Sequence, residues 1–143
     1  MSRTFSKQSL SSGAAQELLT ACVAAAEAQG LALVFHVVDE SGILKAYLRM
    51  DGAPLIAVDA ARKKAMTAVG YGLPTGKTWH DFASPDPILS RGVDSFKDFT
   101  MLGGGLPLTV DGTLVGALGV SGAHYSQDEA VGQTAIAAAG LGS

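Results

Sequence analysis

Three histidines, His36, His80 and His124, are the strong neutral nitrogen donors of this 143-residue chain. An imidazole can move a proton near neutral pH or ligate a metal ion through either ring nitrogen. The three lack the close spacing of a metal site. His36 interrupts the apolar run Leu31–Val38, which makes it the first candidate for acid–base work or for contact with ligand, substrate or metal. The competing reading is a hydrogen-bonded core or interface histidine. His80 follows Trp79 in the segment Lys77–Phe82. Aromatic rings there could pack against an apolar ligand while the imidazole ligates or hydrogen-bonds it, or the segment is an ordinary surface helix with a packed Trp. His124 follows Val120-Ser121-Gly122-Ala123 and reads as a loop residue near a sheet end, either facing a ligand or simply solvated.

Charged and glycine positions add donors. Arg49 and Asp51 close a strand; the guanidinium could hold a carboxylate through two parallel hydrogen bonds, or the two residues could brace the turn as a pair. Lys64 could neutralise an acidic ligand or, if desolvated, act as a base; beside Arg62 and Lys63 it could equally be a solvated lysine. Gly103-Gly104-Gly105 permits the dihedrals that aim backbone N–H groups at an anion. No Lys-Ser/Thr follows it, which disfavours nucleotide binding. Ser121 lacks the Gly-x-Ser-x-Gly setting of a nucleophile.

The elements that must position these residues follow from periodicity. Leu10, Ala14, Leu18, Cys22 and Ala25 recur at helical spacing, predicting a first helix over Ser9–Gln29 ended by Gly30. Leu31–Val38 reads as a central strand and Ile43–Arg49 as its hairpin partner across Asp39-Glu40-Ser41-Gly42. Pro54 suits the first turn of a second helix that ends near Gly70-Tyr71-Gly72. Between Leu73 and Gly105 the pattern degrades to short helices around Lys77–Phe82 and Asp94–Leu102. Leu106–Val110 and Leu114–Val120 flank Asp111-Gly112, the strongest hairpin signal of the chain. Ser126 and Glu129 predict a capping box opening a last helix that runs to about Ala139. Helix, two strands, helix, irregular helices, two strands, helix is an α/β (α+β) order, with an antiparallel sheet flanked by helices in one domain over residues 1–143.

Composition narrows the function classes. A net charge of −3 with ten dispersed Lys and Arg gives no basic face to neutralise a run of phosphates, so nucleic acid is not an expected partner. No run reaches the roughly 20 apolar residues of a membrane span. No secretory signal opens the chain, and the lone Cys22 reads as a buried apolar thiol, so a cytoplasmic setting is expected. Hydrophobic residues make up 48% and charged residues 16%; the apolar surplus is expected at interfaces of a homo-oligomer.

Five blocks, Arg49-Met50-Asp51-Gly52-Ala53, Lys64-Ala65-Met66-Thr67-Ala68, Gly103-Gly104-Gly105-Leu106-Pro107, Val120-Ser121-Gly122-Ala123 and Gln127-Asp128-Glu129, occur in the order and spacing of the GlcG/HbpS-like family, which the chain resembles from about Ser9 to Ala139. The resemblance implies a profilin-like or roadblock-like fold and an oligomeric assembly. It also implies a small-molecule ligand, haem or another tetrapyrrole; no histidine falls in a matching block, so His80 and His36 stand as axial-ligand candidates on their own chemistry, with Arg49 or Lys64 for the propionates. A cofactor-independent catabolic enzyme is the second reading. In it His36 or Lys64 moves a proton and Arg49 with the glycine segment steadies an anion, in hydration, isomerisation, ring-opening or lactone-type chemistry. A sensory or assembly module without chemistry is the third. In the last two readings no cofactor is needed.

Overall fold

Side chains close the free N–H groups where the first helix starts. The computed structural model describes residues 1–143. Helix α1 (Ser12–Ala28) begins at Ser11, whose hydroxyl accepts from the Ala14 N–H at 3.1 Å. It buries Ala15, Leu18, Cys22 and Ala26. Strands β1 (Val34–Asp39) and β2 (Leu44–Arg49) form the expected hairpin. Asp39 Oδ1 accepts from the N–H groups of Ser41 and Ile43 in its turn. Helix α2 (Ile56–Tyr71) starts two residues after Pro54 and stops at Gly72, which takes a left-handed φ of 67°.

The next stretch departs from expectation. Helix α3 (Lys77–Ala83) forms as read, but Asp94–Leu102 is not helical. Helix α4 (Pro87–Gly92) forms instead, capped by Asp86 and followed by a single 3-10 turn. Asp98 has a φ of 64°, and tertiary bonds hold it there. Its carboxylate lies 2.8 Å from the Arg62 guanidinium, and Thr67 Oγ1 on α2 accepts from the Thr100 N–H at 2.9 Å. These bonds outweigh the local helical pattern.

Strands β3 (Gly105–Val110) and β4 (Thr113–Ser121) pair across Asp111 and Gly112, both with positive φ, as a two-residue hairpin of this twist requires. Helix α5 (Tyr125–Ala139) starts one residue before Ser126, correcting the expected capping box. His124 is the cap, and its Nδ1 accepts from the Ser126 N–H. Gln127 Oε1 in turn accepts from the His124 N–H. An imidazole substitutes for the hydroxyl that the sequence offered.

The antiparallel sheet has the order β2-β1-β4-β3, flanked by helices in an α+β fold. One face carries Leu33, Phe35, Val37, Leu118 and Val120 under α1 and α5, the main core. The other carries Val34, Val38 and Ala117 under the alanine stripe Ala57, Ala61, Ala65 and Ala68 of α2. A Cβ on Gly119 would stand 1.9 Å from the Ala61 carbonyl, and one on Gly105 would stand 2.3 Å from that of Lys64. Alanine above and glycine below let helix backbone and sheet backbone meet directly. Helix α2 packs on β1, β4 and β3, so this face of β2 stays open. No helix is long and apolar enough to cross a membrane.

Candidate functional site

The topology separates the candidate residues into two groups, one beside the edge strand β3 and one on the β1–β2 hairpin at the other side of the sheet. A cleft of about 600 Å³ opens beside β3, lined among others by Gly76, His80, Met101, Leu102, Gly103 and Tyr125. That is within the roughly 300–1,000 Å³ of small-molecule sites. His80 projects from α3 with its side chain 62% exposed, and its Nδ1 stands 3.6 Å from Asp81 Oδ1. Lys77, on the same rim, pairs with Asp81 at 2.5 Å. Met101, Leu102 and Tyr125 are large apolar side chains left exposed here. Ser126 and Glu129 add polar groups from the first turn of α5.

His124 does not line the cleft but sits beside it, its ring 4.2 Å from that of Tyr125. As the helix cap its Nδ1 accepts a hydrogen bond, so in the neutral ring Nε2 carries the proton and offers no lone pair.

Behind the cleft the glycine segment is locked in place. The Gly104 carbonyl accepts from the Val120 N–H at 2.8 Å, and the Gly105 N–H donates to Thr75 Oγ1 at 2.8 Å. A Cβ on Gly104 would lie 2.4 Å from the Val120 carbonyl and 3.1 Å from Lys64 Nζ. A side chain at Gly104 would therefore press on the Lys64 ammonium. Lys64 is 2% exposed; its ammonium donates to Asp128 Oδ2 at 2.9 Å and to the Val120 carbonyl at 2.8 Å. Burial pushes the Lys64 pKa down and that of Asp128 up, while each partner's charge opposes the shift. Lys64 is neither the solvated lysine nor the open base that the sequence allowed. Asp128 is the residue that sequence reasoning missed. Both charges fall on apolar stripes, Lys64 among Ala57, Ala61, Ala65 and Ala68, Asp128 in register with Val131, Gly132 and Ala135. Two opposite charges on two buried stripes were the available signal.

The second group lies across β1 and β4 from the cleft. His36 faces α2, Tyr47 stands opposite it on β2, and Arg49 pairs with Val34 one step along. Asp51 is exposed in the following turn, and neither it nor Arg49 forms an ion pair, so they do not brace the turn together. No cluster of His, Cys, Asp and Glu has the makings of a metal centre.

The profile of the haem-degrading HbpS-like proteins matches residues 10–137. The chain belongs to the HbpS-like family. It is 36% identical over 128 residues to the corrinoid adenosyltransferase PduO of Salmonella typhimurium, covering 88% of this chain but 38% of that protein. The chain thus spans well under half of that relative. It is 32% identical to the protein GlcG of Escherichia coli over 113 residues, 74% of this chain and 79% of GlcG. Among solved structures, the PduOC:haem complex superposes with a TM-score of 0.83 at 33% identity, covering 94% of this chain and 97% of that one. A double mutant of Streptomyces reticuli HbpS superposes at 0.84 and 32%, covering 96% and 92%.

Proposed function

We propose that this HbpS-like chain binds haem in the cleft between α3, the glycine segment and the start of α5, with His80 as the iron ligand. The observation that carries this reading is the company His80 keeps. It lines the cleft, no protein group occupies its Nε2, and a carboxylate stands near its Nδ1, as in many metal-ligating histidines. His124 is committed as a cap and His36 lies on the inner strand β1, across β4 from the cleft.

The residues present fit the group. Met101, Leu102 and Tyr125 would take the apolar macrocycle, and Lys77 is the cation within the lining for a propionate. The Gly76 and Gly103 backbones approach closely enough that a Cβ on Gly76 would lie 2.9 Å from Gly103 Cα, which keeps that wall thin. Bound haem would supply an iron able to exchange electrons or bind small gases. The polypeptide would supply the ligand, the apolar walls and restricted access of water. The relative solved as a haem complex supports the reading.

The test is titration of the full chain with haemin, followed by absorbance, alongside His80→Ala, His36→Ala and His124→Ala. A saturable one-site Soret shift, lost in His80→Ala and kept in the other two, is expected. A shift that is unsaturable, or unchanged in His80→Ala, overturns the reading. The reading includes a homo-oligomer in the cytoplasm: Phe82 on α3, Ile88 on α4 and Phe96 after the 3-10 turn remain exposed, apolar surface of the kind that copies of a chain cover. Light scattering on the eluted protein measures that association.

A further inference from the structure

His36 is 9% exposed, and its Nδ1 is sealed from solvent with no hydrogen-bond partner. Its Nε2 is not sealed and also engages no protein group. A buried lone pair left unpaired costs less than a buried N–H left unpaired. The favoured neutral ring therefore carries its proton on Nε2 and presents a donor outward. Burial, with the Arg62 guanidinium nearby, lowers the His36 pKa and keeps the ring neutral.

Two further donors share that sheet face. Tyr47 is the cross-strand partner of His36, its ring edge-on at 5.8 Å. Arg49 is the diagonal neighbour, at the roughly 7–8 Å that a long side chain spans. Neither the Tyr47 hydroxyl nor the Arg49 guanidinium bonds to another residue. A β-bulge between Val37 and Val38, with Lys45 as the extra residue opposite, adjoins the pair; bulges re-aim side chains beside binding sites. Helix α2 leaves this half of the sheet open. The acid of that helix, Asp59, is held by Arg62 and Lys63.

Three unengaged donors with no carboxylate among them favour an anion, and the planar guanidinium fork matches a planar carboxylate. We infer that His36, Tyr47 and Arg49 form a second binding site, for a carboxylate, on the open half of the sheet face that α2 covers. Arg49 binds both oxygens side-on, and the His36 Nε2–H and the Tyr47 hydroxyl donate to them. This site stands apart from the haem cleft and does not depend on it.

The experiment is imidazole ¹⁵N NMR of the full chain titrated with sodium benzoate at constant ionic strength, with sodium chloride as reference. We expect an Nε2–H tautomer for His36 and a saturable benzoate shift. The shift should survive His80→Ala and weaken at least tenfold in Arg49→Gln. An Nδ1–H tautomer, a shift that chloride reproduces, or equal affinity in Arg49→Gln overturns the site. Preloading with zinc protoporphyrin separates the two sources of a carboxylate. Loss of the benzoate shift would show that a porphyrin carboxylate enters this site itself, and retention leaves the site to a separate small acid; both uphold carboxylate binding.

Discussion

Lys64 Nζ lies 2.9 Å from Asp128 Oδ2, with both side chains essentially removed from solvent. The pair joins α2 to α5 across the end of β4. Removing one partner strands the other charge in a dry setting, at a cost of about 3–5 kcal/mol, whereas replacing both with apolar groups of like volume is often near neutral. Lys64→Met and Asp128→Leu are each expected to lower stability by that amount, and the double variant to recover most of it. Urea unfolding of the four proteins as a double-mutant cycle measures this coupling.

His36 sets a pH dependence. Its folded pKa lies below the ordinary 6.5, so under acid the unfolded chain takes up the proton first. The contribution to stability is complete above pH 6.5 and is lost as pH falls through the folded value. The urea midpoint should fall between pH 7.5 and 5.5, and His36→Gln should flatten that part of the slope. An equal slope in the variant refutes the assignment.

Two glycines without positive φ, Gly119 and Gly13, are expected to respond oppositely to alanine. Gly119→Ala would place its Cβ 1.9 Å from the Ala61 carbonyl, backbone against backbone. The helix must lift, and a loss of about 3 kcal/mol or more is expected. Gly13, in the first turn of α1, has nothing within 4 Å. Gly13→Ala should gain about 0.5 kcal/mol from lower unfolded-state entropy. Thermal unfolding of the two variants reads both signs.

Cys22 is fully enclosed in the main core, and burial pushes its thiol pKa up to about 12. Its thiolate is the reactive form. An aromatic disulfide reagent at pH 8 should leave the native chain unmodified for hours and react within minutes in urea. Rapid reaction without denaturant would show that α1 opens locally.

Periodicity made the framework legible. The stripe through Leu18 and Cys22 marked α1, the run ending at Val38 marked β1, and Asp111-Gly112 marked the second hairpin. Where tertiary bonds rule, the pattern misled. Asp94–Leu102 looked helical because nothing local reveals that Arg62 will hold Asp98. Ser126 looked like the cap because an imidazole is a rarer substitute for a hydroxyl. His36 and Lys64 were visible as residues out of place, but their partners were not. Lys64 was read beside Arg62 and Lys63, its neighbours in the chain, when its partner lies 64 residues away. Arg49 and His80 were assigned to one ligand; only the strand order puts them on opposite edges.

That strand order also dictates when the molecule can form. Strand β1 lies between β2 and β4, and Val34 pairs with Ser121. During synthesis the first hairpin must wait, with one edge unpaired, until a strand more than 70 residues beyond β1 has been made. Contacts this distant in sequence slow folding and lengthen exposure to aggregation. A nascent chain halted before Thr113 lacks the strand that joins its two hairpins into one sheet.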